Sequence, residues 1–255
     1  MIGQIREMAR RSILQTLRQP AMVIPPVVFP LVLVAINAAG LDAATNLPGF
    51  PADSYWDFAI AVPFIQGSLF AAINAGTAMA RDVETGFIKR LAMTPMQRMA
   101  LLIGQLIGVM TVAFVSAFIY IAAGFVAGMD FKAGVLGIPA IILLGTLVAL
   151  AFAGIGAYIG LRSGSGEAVQ GIFPLLFVFL FLSSVNLPRN LIEQDWFRTI
   201  ATYNPVSYLV EGVRSLIITG WDEEALLLGY GIAAIIAALA FGLAAGALRT
   251  RLIRT

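Results

Sequence analysis

The chain contains neither cysteine nor histidine. That excludes disulfides, thiol nucleophiles, imidazole bases and the usual zinc and haem ligand sets. Charge is also scarce, at 12% of 255 residues, against about 25% in a typical soluble domain. Lysine occurs only as Lys89 and Lys132. Neither closes a G-x-x-x-x-G-K-[ST] loop, so the chain has no P-loop with which to bind ATP. H-E-x-x-H and G-x-S-x-G are absent as well, and "LRSGSGEA" (161–168) reads as a tight turn at Gly164 and Gly166. No apolar run carries paired carboxylates or a series of arginines, which leaves a proton relay or voltage sensor unsupported. The expectation is a chain that is not an enzyme, holds no metal or cofactor and binds no nucleic acid. The N-terminal "MIGQIREMARRSILQTLRQP" is charged through to Arg18 and has no small-residue cleavage site, unlike a signal peptide.

What is present is hydrophobic: 60% of residues. Runs of about 18 to 25 apolar residues mark spanning helices, and six are read at 21–40, 57–80, 99–126, 134–160, 169–187 and 225–247. With the N-terminus inside, 12 of the 16 Lys and Arg residues fall in inner segments, leaving Lys132, Arg189, Arg198 and Arg214 outside. The positive-inside rule then puts both termini in the cytoplasm of a multi-pass inner-membrane protein. The whole of 1–255 reads as one transmembrane domain. Residues 1–19 form an amphipathic interfacial helix, with Ile2, Ile5, Met8, Ala9, Ile13 and Leu17 on one face and Arg10, Arg11 and Arg18 opposite. Small-xxx-small pairs at Gly104/Gly108, Gly124/Gly128, Gly156/Gly160 and Gly242/Gly246 are candidates for close helix approach.

The connector between the second and third spans, "ARDVETGFIKRLAMTPMQR", is charged yet keeps Val83, Phe87 and Leu91 at four-residue spacing. A helix over 81–92 would gather these on one stripe. Thr94-Pro95-Met96-Gln97 then reads as a capping box that starts the third span at Thr94. Beyond the fifth span, 188–224 is mixed in character. Residues 205–219 read as a helix with Val206, Leu209, Val213, Leu216 and Ile217 on one side and Glu211 paired to Arg214. A helix of about 12 residues is too short to cross about 30 Å of hydrocarbon, so a re-entrant hairpin is expected, with an extracellular interfacial hairpin as the alternative. Polar groups inside spans are either pathway residues or bridges between helices: Gln66, Asn74, Thr77, Ser116, Tyr120, Ser183 and Asn186.

Two segments carry a family resemblance. "ARDVETGFIKRLAMTPMQR" and, before the last span, "YNPVSYLVEGVRSLIITG" (203–220) resemble the corresponding segments of type-2 ABC transporter permeases, in the same order. The resemblance covers the whole chain and is nearest the drug- and lipid-exporting branch. It implies an all-α membrane fold of six transmembrane helices with an N-terminal interfacial helix, a cytoplasmic coupling helix and a re-entrant outer hairpin. It also implies two permease copies, or two related permeases, above two separate ATPase subunits that bind ATP and Mg. The coupling residues map onto Glu84, Gly86, Phe87, Lys89, Arg90 and Leu91, and the outer gate onto Asn204, Pro205, Tyr208, Glu211 and Arg214. Sparse charge and the phenylalanines at 173, 177, 179 and 181 point to a hydrophobic or amphipathic substrate, drug-like or lipid-like. The alternatives are a polysaccharide or glycolipid exporter and an ion-coupled secondary transporter. The latter would need inverted repeats and midplane charges.

Overall fold

The computed structural model of the protein describes residues 2–93 and 97–253. These are all-helical, without a strand. In chain order the helices are α1 (Ile2–Leu17), α2 (Pro20–Leu41), α3 (Tyr55–Ala59), α4 (Val62–Glu84), α5 (Phe87–Ala92), α6 (Arg98–Val126), α7 (Gly134–Ser163), α8 (Gly166–Gly171), α9 (Phe173–Phe181), α10 (Asp195–Tyr203), α11 (Pro205–Ile218) and α12 (Glu223–Ile253). Five helical segments are long and apolar enough to cross a membrane: Pro20–Asn46, Tyr55–Glu84, Met99–Val126, Gly134–Ser163 and Glu223–Leu252.

The segment expected to cross at 169–187 is different. Its apolar helical stretch is Gly166–Phe181, broken at Ile172 between α8 and α9. Pro174 lies in the first turn of α9 and has no N–H for the carbonyl of Gln170, so the helix cannot run straight through. At 1.5 Å per residue the stretch reaches roughly 24 Å, short of the hydrocarbon thickness. It ends at Phe181, and residues 182–187 form turns.

Backbone contact organises the centre. A Cβ placed on Gly156 would run into the carbonyl oxygen of Ala72, and one on Gly160 into that of Gly76. The Gly156/Gly160 pair of α7 therefore lies directly on the Ala72/Gly76 ridge of α4, the close approach that small residues permit in lipid. Gly104 and Gly108 of α6 take a different neighbour: added Cβ atoms would meet Met8 and Ser12 of α1. The first helix is thus packed on the chain itself. It buries Ala9, Ser12 and Thr16, the Ser12 hydroxyl donates to the Gln105 carbonyl at 3.1 Å, and Ile2 and Leu17 of the expected apolar face are exposed. The helix meets α6 through Met8 on Gly104 and Ser12 on Gly108, which turns Ala9, Ser12 and Thr16 inward rather than the ends of the expected apolar face. The other two pairs meet no neighbouring backbone: Gly242 and Gly246 have nothing nearby, Gly124 faces the Met129 and Ile60 side chains, and Gly128 is a left-handed turn residue (φ +84°).

Two hydrophobic clusters result. One fills the end containing α5, around Met79, Ile88, Leu102, Ala153 and Leu248. The other fills the far end, around Phe58, Ile65, Tyr120, Leu144 and Leu209. Outside them α2, α6, α9 and α12 present large apolar residues, among them Val28, Phe29, Phe118, Val178, Phe179 and Leu239. Such an apolar surface suits a bilayer as solvent.

Candidate functional site

The charged connector is two elements rather than one helix over 81–92. α4 continues to Glu84, and the chain turns at Gly86 in the left-handed region (φ +66°) before α5 begins. Its closing hydrogen bonds, Thr85 N–H to Arg81 and Gly86 N–H to Val83, are those of a helix C-terminus that needs glycine. Nothing lies within 4 Å of a Cβ added to Gly86, so the requirement is conformational, not steric. Among the described side chains of α5, Ile88 is buried, and Phe87 and Leu91 are not. Val83, Phe87 and Leu91 are half-buried and pack against the chain's own core cluster. The stripe therefore anchors the connector to its own molecule. Glu84, Lys89 and Arg90 are exposed beside it, with Glu84 accepting the Gly166 N–H at 3.3 Å.

A clamp holds this arrangement to α1. Arg11 donates to both carboxylate oxygens of Asp82, at 2.8 and 3.4 Å. Its guanidinium also stacks over the Phe87 ring, 4.1 Å from the centroid. Asp82 is 5% exposed, so its charge needs this partner. The helical projection had put Arg11 on the solvent face of α1, and neither residue was expected at the site. The available signal was an aspartate in the last turn of an apolar span, which demands a cation from elsewhere. The Thr94-Pro95-Met96 part of the expected capping box lies outside the described residues. Gln97 is extended, and α6 starts at Arg98 rather than Thr94.

At the far end, the expected gate residues form one polar network. The Asn204 side chain caps α11 by accepting the Val206 N–H at 2.9 Å, and its amide donates to the Phe179 carbonyl of α9 at 2.7 Å. Pro205 takes the first helical position, which needs no N–H. Tyr208 donates to the Thr202 carbonyl at 2.8 Å. The expected Glu211–Arg214 pair does not form. Glu211 instead accepts from Arg189 and from the Ser184 hydroxyl. Arg214, buried at 6% exposure, donates to the carbonyls of Phe58, Ser184 and Val185 at 3.0, 3.1 and 3.1 Å and covers the Phe58 ring. Three main-chain carbonyls, one from α3 and two from the turns after α9, hold the guanidinium in place of the carboxylate one turn back. Burial lowers the Arg189 pKa, but Glu211 and Tyr208 more than offset it and leave it raised.

The polar residues of the spans divide by partner. α2 contains Pro25, Pro26 and Pro30; Pro26 has no N–H for the Met22 carbonyl, and Pro30 none for that of Pro26. Asn74 donates to the Met22 carbonyl at 3.0 Å, and the Tyr120 hydroxyl donates to that of Pro26. These two are replacements for hydrogen bonds that proline removed. Thr77 bonds back to Ile73 of its own helix, and Ser183, in the turn after α9, to Leu180. Asn186 contributes its main-chain carbonyl, to Tyr55 at 3.0 Å. Gln66 Oε1 and Ser116 Oγ are buried without a hydrogen bond.

Comparison with known proteins adds a family to this geometry. Residues 3–218 match the model of a family described as "ABC-2 type transporter". A "Putative transport permease ycf38" of Porphyra purpurea is 27% identical over 237 residues, covering 91% of this chain and 80% of that protein. One of the same name from Pyropia yezoensis is 26% identical over 222 residues, covering 85% and 74%.

Proposed function

The chain belongs to the ABC-2 type transporter family and is a multi-pass membrane subunit of an ABC transporter, and on that premise we propose that it is the permease half of an exporter for a hydrophobic or amphipathic, drug-like or lipid-like molecule. Membership implies association with ABC ATPase subunits. In the proposed assembly two of them dock from the cytoplasm, bind ATP and Mg, and engage the connector, while both permease termini face the same side of an inner membrane.

The observation that carries the proposal is the connector's construction. Ile88 and the half-buried Phe87 and Leu91 root α5 in the core, Gly86 sets its angle, and Arg11–Asp82 braces it. The exposed Glu84, Lys89 and Arg90 are thereby carried on a rigid lever joined to α4. A lever so rooted can transmit a push from a docked ATPase into the centre of the bundle, because α4 packs backbone-to-backbone on α7. The proposed contact surface is accordingly polar, with Phe87 and Leu91 acting from behind it.

Gly166–Phe181 would be the sixth crossing, its short length met by local thinning of the bilayer, and α10–α11 the re-entrant outer gate. A second permease copy would pack across α2 and α9. Phe29 of α2 and Phe177 of α9 touch edge to face at 6.1 Å, and Ile24, Val28, Leu175 and Val178 extend the same helices' exposed apolar residues. Reconstitution with the co-purifying ATPase tests the function: inverted vesicles should accumulate an amphipathic dye only with hydrolysable ATP. Uptake that follows an imposed ion gradient without ATP would overturn the proposal in favour of a secondary transporter.

A further inference from the structure

A second site lies where the ends of α4, α7 and α12 meet the start of α5. A cavity of about 260 Å³ opens there. Val83, Ile88 and Leu161 form its apolar wall, and Lys89, Arg162 and Arg251 bring three cations to it. None of its lining residues is acidic. Of the acidic residues of this end, Asp82 is held by Arg11, Glu84 accepts from the Gly166 N–H, Glu7 pairs with Arg6, and Glu167 is exposed in the first turn of α8, outside the cavity's lining. Three converging cations repel one another unless an anion joins them.

Part of this charge has a structural duty. Arg251 donates to the carbonyls of Leu161 and Arg162, at 2.8 and 3.0 Å, and so closes the C-terminus of α7. Those two bonds use only part of a five-hydrogen guanidinium. Among the described residues, no side-chain hydrogen bond or ion pair engages Arg162 or Lys89, whose side chains are exposed. α7 and α12 are both spans, so the cavity sits at the edge of the hydrocarbon, with apolar residues on one side and cations on the other. Basic pockets between spans at this depth suit lipid phosphates.

We infer that this cavity binds a phosphate group, supplied by the headgroup of an anionic lipid. The apolar wall receives the glycerol and upper acyl chain, and Lys89, Arg162 and the free edge of Arg251 surround the phosphodiester. The inference does not depend on the export proposal and concerns the permease chain alone.

The test uses full-length protein in neutral detergent. It is titrated separately with dioleoylphosphatidylglycerol, dioleoylphosphatidylcholine and inorganic phosphate, and read by native mass spectrometry and thermal midpoint. Phosphatidylglycerol should bind saturably and raise the midpoint, whereas phosphatidylcholine, whose quaternary ammonium cancels the charge, should do neither. Arg162→Gln should weaken binding about five-fold, and Lys89→Gln in addition about five-fold again. Arg249→Gln, an exposed cation of α12 outside the cavity, should leave binding unchanged. If inorganic phosphate binds with the same sensitivity to Arg162→Gln and displaces the lipid, the phosphate site stands and its source is soluble. Equal binding of both lipids, or binding that survives Arg162→Gln/Lys89→Gln, overturns the site.

Discussion

Arg214 and Gly86 show how single positions carry this structure. Arg214 satisfies three main-chain carbonyls from two different segments, and a lysine cannot reproduce that forked set of donors. Arg214→Lys should therefore leave buried carbonyls unpaired, at about 1–3 kcal/mol apiece. The expected result is a clear fall in thermal midpoint, larger than that from Arg198→Lys, where only the exposed Asp195 is lost. A comparable fall in both would mean that the buried cluster adds nothing. Gly86 has room for a side chain but not the backbone freedom. Gly86→Ala should cost about 1–2 kcal/mol and loosen α5, while Gly86→Asn, which tolerates left-handed geometry, should cost less. Proteolytic sensitivity of the 84–93 connector would rank the three.

Among the elements, most of what the sequence established concerns long apolar runs, because bilayer thickness imposes one length on every spanning helix. Residues 99–126 and 134–160 differ from α6 and α7 by three residues or fewer at any end. The fifth run reads too long because Leu182, Val185 and Leu187 continue it past Phe181 among Ser183, Ser184 and Asn186, while Pro174 and the turn at 182–187 act through backbone geometry. The site was legible in part. Gly86, Asn204 and Pro205 come from the resemblance to type-2 ABC transporter permeases, and each has a local job in the fold that suits its residue type. The Arg11–Asp82 clamp did not, since its partners are 71 residues apart and no local pattern pairs them. Glycine pairs were equally ambiguous: four looked alike, and only a neighbouring backbone distinguishes them. Gly160→Ala should consequently disrupt assembly of α4 on α7, whereas Gly242→Ala should be neutral or stabilise by about 0.5–1 kcal/mol. Thermal midpoints of the two variants in one detergent decide the matter. A neutral Gly160→Ala would show that α4 and α7 can separate without cost.

At the scale of the whole molecule, the two clusters divide the labour. The far-end cluster secures α11 and its polar network, and the other roots the connector beneath its exposed charges. The central claim is that an ATPase subunit docks on that connector. Because the native chain has no cysteine, single cysteines can report the contact by cross-linking in the assembled complex. Cysteines replacing Glu84, Lys89 or Arg90 should cross-link to the ATPase subunit, and those replacing the exposed far-end residues Trp196 or Tyr203 should not. Cross-links from 196 or 203 but never from 84, 89 or 90 would contradict the account.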